Sequence, residues 1–223
     1  MLMARRGIVK AMLGALGACG LMGRRPALAA DLSVPTTLPV ETLPFDRTGM
    51  DGWTTVEGRW GVEDMPGAPG GARVLVQRAI GNQFNVVLAP LGPYSDLDVS
   101  VAFRPISGKE DASGGIVFRF AEGRYYVARA NALEDNVRLY FYDRGRRQIA
   151  TSSVKAPTVG QWHSLRVVAV GDRTQTWLDG RLCLDHQDTR LKSGRVGLWT
   201  KADSVTAFGD LAIRGVKKRE SPS

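Results

Sequence analysis

Glu134 and Asp135, side by side in Ala132-Leu133-Glu134-Asp135-Asn136, are the carboxylates placed to do chemistry. Acid-base cleavage of an acetal takes two carboxyl groups on opposite sides of the bond. Adjacent residues on one strand point to opposite faces, so these two do not make such a pair by themselves. A turn or ligand-contact role stands beside catalysis for both, because Asp and Asn shape turns. Nearby lie Arg119, Arg129 and Arg138, whose guanidinium forks can grip a carboxylate or a pair of hydroxyls. Asn131, Tyr140, Trp199 and Lys201 complete a candidate binding set. The competing reading makes the arginines partners of Asp98, Glu134 or Asp135 in ion pairs on a solvated sheet. It makes Trp199 packing between layers.

What would gather these groups is strand alternation. Ser113 to Tyr142 reads as three short strands in succession. Ile116, Phe118 and Phe120 fall on one face of the first, against Val117 and Arg119. Ala128 and Ala130 oppose Val127, Arg129 and Asn131. Val137, Leu139 and Phe141 oppose Arg138, Tyr140 and Tyr142. If the three are neighbours, Arg119, Arg129, Asn131, Arg138 and Tyr140 share one sheet face. Further on, Val196 and Leu198 take the core side, leaving Trp199 and Lys201 on the other.

Strand signals recur along most of the chain: 53–57, 59–63, 73–77, 84–88, 97–103, 162–170, 174–178, 181–185, 195–200 and 204–214. No amphipathic helix of ordinary length interrupts them. Asp179-Gly180 supplies the positive backbone angles of a two-residue hairpin, setting Trp177 opposite Leu182 and Thr176 opposite Cys183. Residues 194–200 and the strand ending at Leu211 read as a closing pair. Many short strands with Gly, Pro and Asp turns predict an all-β sandwich or barrel.

The chain has 223 residues and a formal charge of +8, but residues 1–29 hold five basic and no acidic residues. The remainder carries 25 basic against 22 acidic residues, a net of +3. A body so near neutrality lacks the basic footprint of nucleic-acid binding, and no nucleic-acid partner is expected. Residues 1–29 read as an export signal: Arg5 and Arg6, a weakly apolar Ala11–Gly23, and cleavage after Ala29. Arg5-Arg6-Gly7-Ile8-Val9-Lys10 resembles the twin-arginine export motif, which points to the bacterial periplasm or exterior. The apolar run is too short for a transmembrane span. Leu16-Gly17-Ala18-Cys19 leaves open a lipid anchor at Cys19. Cleavage would leave Cys183 alone, with no internal disulfide and a structural thiol role. His163 and His186 lack a triad motif. No metal site is expected. Calcium stays open, though Asp172, Asp188 and Asp210 are scattered. The expected organisation is a signal at 1–29, a proline-rich leader at 30–44, a β domain at 45–214 and a basic tail at 215–223.

Phe45, the Trp53 and Trp60 strands, Trp162-His163-Ser164-Leu165-Arg166-Val167, Leu178-Asp179-Gly180 and Gly194-Arg195-Val196-Gly197-Leu198-Trp199 form an ordered set. It resembles the concanavalin A-like lectin/glucanase jelly roll. Within that fold it is similar to laminin G-like modules and to the 3-keto-disaccharide hydrolase domains of secreted bacterial proteins. The resemblance implies two curved antiparallel sheets and a glycan or glycoside on the concave one. The Glu-x-Asp-x-x-Glu motif of the laminarinase-type enzymes is missing, which counts against ordinary retaining hydrolysis. The same resemblance carries two alternatives. One is a hydrolase or lyase acting on a 3-keto sugar, where Glu134 or Asp135 as single base could begin elimination. The other is a laminin G-like protein-interaction module.

Overall fold

The computed structural model describes residues 30–218. The segment read as an export signal, the Cys19 motif and the last five residues of the expected basic tail lie outside them. Fifteen strands and one helical turn run in order: β1 (Glu41–Leu43), α1 (Phe45–Thr48), β2 (Thr54–Glu57), β3 (Trp60–Asp64), β4 (Arg73–Gln77), β5 (Phe84–Leu88), β6 (Tyr94–Ser107), β7 (Ser113–Ala121), β8 (Arg124–Asn131), β9 (Glu134–Tyr142), β10 (Arg146–Ser153), β11 (His163–Val170), β12 (Arg173–Leu178), β13 (Arg181–Gln187), β14 (Arg195–Lys201) and β15 (Val205–Lys217). They form two antiparallel sheets packed as a jelly-roll sandwich, as expected. One sheet runs β13-β12-β11-β6-β15-β4-β3, with β1 also on β15. The other runs β10-β9-β8-β7-β14-β5-β2.

The core lies between the sheets and obeys the period-2 pattern. Leu97, Val99, Val101 and Phe103 of β6 meet Ile116, Phe118, Ala128, Ala130, Val137, Leu139, Val196 and Leu198 from the second sheet. The Asp179-Gly180 turn has both residues at positive φ (50° and 76°), the conformation a two-residue hairpin needs. Trp177 pairs with Leu182 as expected, but a bulge shifts the next pair, so Thr176 meets Leu184 and not Cys183.

Three further expectations are corrected. Strands β14 and β15 do not pair: β14 lies between β7 and β5, and β15 joins β6 and β4 in the other sheet. The tight stretch at Ala202–Ser204 carries the chain from one sheet to the other. The segment read as a leader is docked: β1 pairs with β15, Val34 is buried, and the Leu32 N–H donates to Gln175 Oε1 at 2.6 Å. A strand at Arg146–Ser153 was not foreseen.

The outer face of the second sheet curls inward. Phe84 on β5 and Tyr142 on β9 are four strand steps apart, about 19 Å across a flat sheet. Their ring centroids lie 5.8 Å apart. Arg146 on β10, one step further, sets its guanidinium carbon 5.3 Å from the Phe84 centroid. Only a concave face lets these side chains meet.

Candidate functional site

The concave face divides into a polar cluster and an aromatic floor. Paired positions Arg129–Arg138 and Asn131–Glu134 on β8 and β9 set the polar groups side by side. Glu134 is the hub. Its Oε2 accepts from Arg129 Nη2 at 2.9 Å and Asn136 Nδ2 at 3.0 Å, and lies 3.0 Å from Arg138 Nη2. Its Oε1 accepts a long bond from Asn131 Nδ2 at 3.4 Å. Arg129 Nη1 donates to Asn136 Oδ1 (2.9 Å). The Tyr140 hydroxyl accepts from Arg129 Nη2 (3.3 Å) and Arg138 Nη1 (3.4 Å).

Burial alone would raise the Glu134 carboxyl's pKa. Hydrogen bonds from Asn136 and Arg129, with the charges of Arg129 and Arg138, outweigh it and hold the group at about 2. Glu134 is therefore an anion that aligns two guanidinium groups, and a feeble base at neutral pH.

A second acidic group extends the cluster. Asp111 is buried, its Oδ1 accepting from Ser204 Oγ at 2.9 Å and its Oδ2 from Asn131 Nδ2 at 3.2 Å. Lys201 Nζ stands 3.7 Å from Asp111 Oδ2 and 3.7 Å from Glu110 Oε1. Asp203 holds this loop by accepting from the N–H groups of Lys109, Glu110 and Asp111.

Beneath and beside the cluster, Trp199, Tyr140 and Tyr125 are nearly buried although they lie on the outer face. The Arg146 guanidinium covers this floor, 4.3 Å from the Tyr140 ring centroid and 6.0 Å from that of Trp199.

Of the residues singled out in the sequence, Glu134, Arg129, Asn131, Arg138 and Tyr140 come together. Lys201 joins them through Asp111. Trp199 shares the face but is floor, stacked on Phe84. Arg119 is a correction. It adopts φ 53° at a bulge in β7, so it turns off the concave face and Phe120 takes the outward place. Its guanidinium donates to the carbonyls of Ser95, Leu191 and Gly171 between the sheets. Asp135 is a second correction. It points away from Glu134, and its Oδ1 accepts from the Ala156 N–H at 3.2 Å. The cross-strand ion-pair reading holds for Glu134 with Arg129; Glu134 also pairs with Arg138 along its own strand, whereas Asp98 pairs with Arg166 on the other sheet.

Asn136, Asp111, Arg146, Phe84, Tyr125 and Tyr142 were missed as site residues. Asn136 was within reach, since it alternates in phase with Glu134 and Arg138. Arg146 was not, because β10 carries little apolar alternation to mark it.

His163 has a structural partner: Nδ1 lies 2.8 Å from Asp179 Oδ2, and Nε2 accepts the Thr158 N–H. Cys183 is free and half-buried, and burial pushes its thiol up. Among the described residues no group of three or more His, Cys, Asp or Glu is placed to hold a metal ion. None of the described helices is long and apolar enough to cross a membrane.

Residues 41–214 match the family model of the 3-keto-alpha-glucoside-1,2-lyase-like domain. The chain belongs to this family. It is also 27% identical over 161 residues to a levanase of Bacillus subtilis (strain 168), covering 70% of this chain and 22% of that one. The chain thus spans about a fifth of the levanase's length. Among solved structures it is similar to the carbohydrate binding module CBM66 from Bacillus subtilis, with 24% identity and a TM-score of 0.63. That match covers 74% of this chain and 96% of the module. A Bacillus subtilis protein with a galectin-like fold matches at 12% identity and TM-score 0.58, covering 76% and 92%. These likenesses agree with the concanavalin A-like jelly roll.

Proposed function

We propose that this lyase-like domain binds a neutral glycan or glycoside on its concave face, with Arg138, Glu134 and Lys201 as the hydroxyl-contacting groups and the buried Arg129, Asn131 and Tyr140 holding them in place. The observation that carries the reading is the Glu134 hub. A carboxyl group with its pKa lowered to about 2 is ionised at neutral pH and aligns two arginines on the concave face, beside an aromatic floor. Arg138, Glu134 and Lys201 keep part of their surface in solvent (side-chain exposures of 30%, 35% and 23%), so a ligand can reach them. Arg129, Arg138, Arg146 and Lys201 against Glu134, Glu110 and Asp111 leave a net charge of only +1, which suits hydroxyls better than a strongly charged sugar.

The names of the relatives give two probes, levan and a 3-keto-α-glucoside. Affinity electrophoresis in levan, or titration with the keto-glucoside, is expected to show binding that Arg138→Ala weakens at least about tenfold. Unaltered binding in that variant overturns the assignment of the site.

The family match favours one rival, elimination from a 3-keto sugar. A base would take the proton beside the ketone while the C1–O bond breaks and the aglycone departs. Glu134 is a poor base for this step, and Asp135 faces away. Turnover of the keto-glucoside that is lost in Glu134→Gln would support the rival. Export through the twin-arginine-like leader, with cleavage after Ala29 or lipidation at Cys19, completes the proposal. Mass spectrometry of the mature N-terminus separates the two.

A further inference from the structure

A groove of about 510 Å³ opens on the concave face beside the polar cluster. It lies within the size range of small-molecule sites. Its walls include Phe84, Phe120, Tyr125 and Tyr142. Three of these rings form a column across neighbouring strands. Phe120 and Tyr125 are nearly parallel (17°, centroids 5.6 Å apart), and so are Tyr125 and Tyr142 (11°, 4.7 Å). The last spacing equals the distance between strands. The rings therefore stand side by side, their faces covering one another and their edges turned outward.

That orientation selects the occupant. Ring faces are negative and ring edges positive, so a row of edges attracts the face of a flat π system. The groove already shows this contact: Phe84 meets Tyr142 at 84°. A saturated sugar ring lying on the row would find no open face of Tyr125 to stack on. The polar side chains of the lining include Glu57, Asn82 and Gln83.

Arg146 links the groove wall to the polar cluster. Its guanidinium lies over both Phe84 and Tyr140, and the Tyr140 hydroxyl belongs to the Arg129–Arg138–Glu134 network. Resting on the glycoside-binding reading above, we propose that the groove holds an aromatic aglycone, making the domain a receptor for aryl glycosides whose sugar sits at Glu134.

The test compares methyl with 4-nitrophenyl α-glucoside by titration against the full chain, and includes 4-nitrophenol alone, monitored by NMR shifts. Val56→Trp blocks the groove. Val56 lies on the groove's rim and is 48% exposed, so the change should leave the fold intact. The 4-nitrophenyl glycoside should bind about tenfold tighter than the methyl glycoside, and Val56→Trp should abolish that gain. Equal affinity for the two glycosides overturns the inference while leaving glycan binding standing. If neither glycoside binds, 4-nitrophenol decides. Shifts in the wild type that disappear in Val56→Trp support the groove even though the sugar site has failed. No shifts, or shifts that persist in the variant, overturn it.

Discussion

Arg119 and Arg129 are each 1% exposed and lie on neighbouring strands of one sheet, yet they do opposite work. Arg119 is bonded to three backbone carbonyls from separate segments and is closed off. It acts as a strut tying β7 to the β6, β11–β12 and β13–β14 regions. Arg129 is bonded to side chains, Glu134, Asn136 and Tyr140, on the concave face. Its Nε is buried without a partner among the described atoms. Burial is the same in both. What differs is whether the partners are main chain, which is committed to the fold, or side chains that can exchange one partner for a ligand.

The contrast breaks most sharply at Arg119. Arg119→Ala strands three carbonyls in the interior and should cost at least about 3 kcal/mol. Urea unfolding measures this, and a loss below about 1 kcal/mol would show that Arg119 is no strut. Arg138→Ala should do the reverse. Binding of a recognised glycan should fall about ten- to a hundredfold, while the unfolding free energy stays within about 0.5 kcal/mol.

Glu134→Gln sharpens the comparison by pH. The Glu134 pKa is depressed from 4.5 to about 2, so its contribution to stability is complete above 4.5 and fades as pH falls toward 2. The wild type should lose stability over that window more steeply than Glu134→Gln. Parallel curves would mean that the hub is not formed. Asp135→Asn is the smallest change: amide and carboxylate alike can accept from Ala156, so binding and stability should both stay within about 0.5 kcal/mol.

Much of the site was legible from period 2. The Val137-Leu139-Phe141 and Ala128-Ala130 alternation placed Arg129, Arg138 and Tyr140 on one face, and the sheet obeys it. The pattern failed at Arg119 because a single bulge residue reverses the parity of the residues after it, and nothing in Phe118-Arg119-Phe120 announces a positive φ. It failed at Arg146 because an edge strand with polar residues on both faces carries no periodic mark. It also could not show the placement of β14 and β15 in opposite sheets, which depends on contacts between residues far apart in the chain.

The most direct test of the glycan site is a glycan array probed with wild type and Arg138→Ala at matched folded fraction. At least one neutral glycan should bind the wild type and lose about tenfold or more of its affinity in the variant. An array on which the wild type binds nothing, or on which the two proteins bind alike, would contradict it.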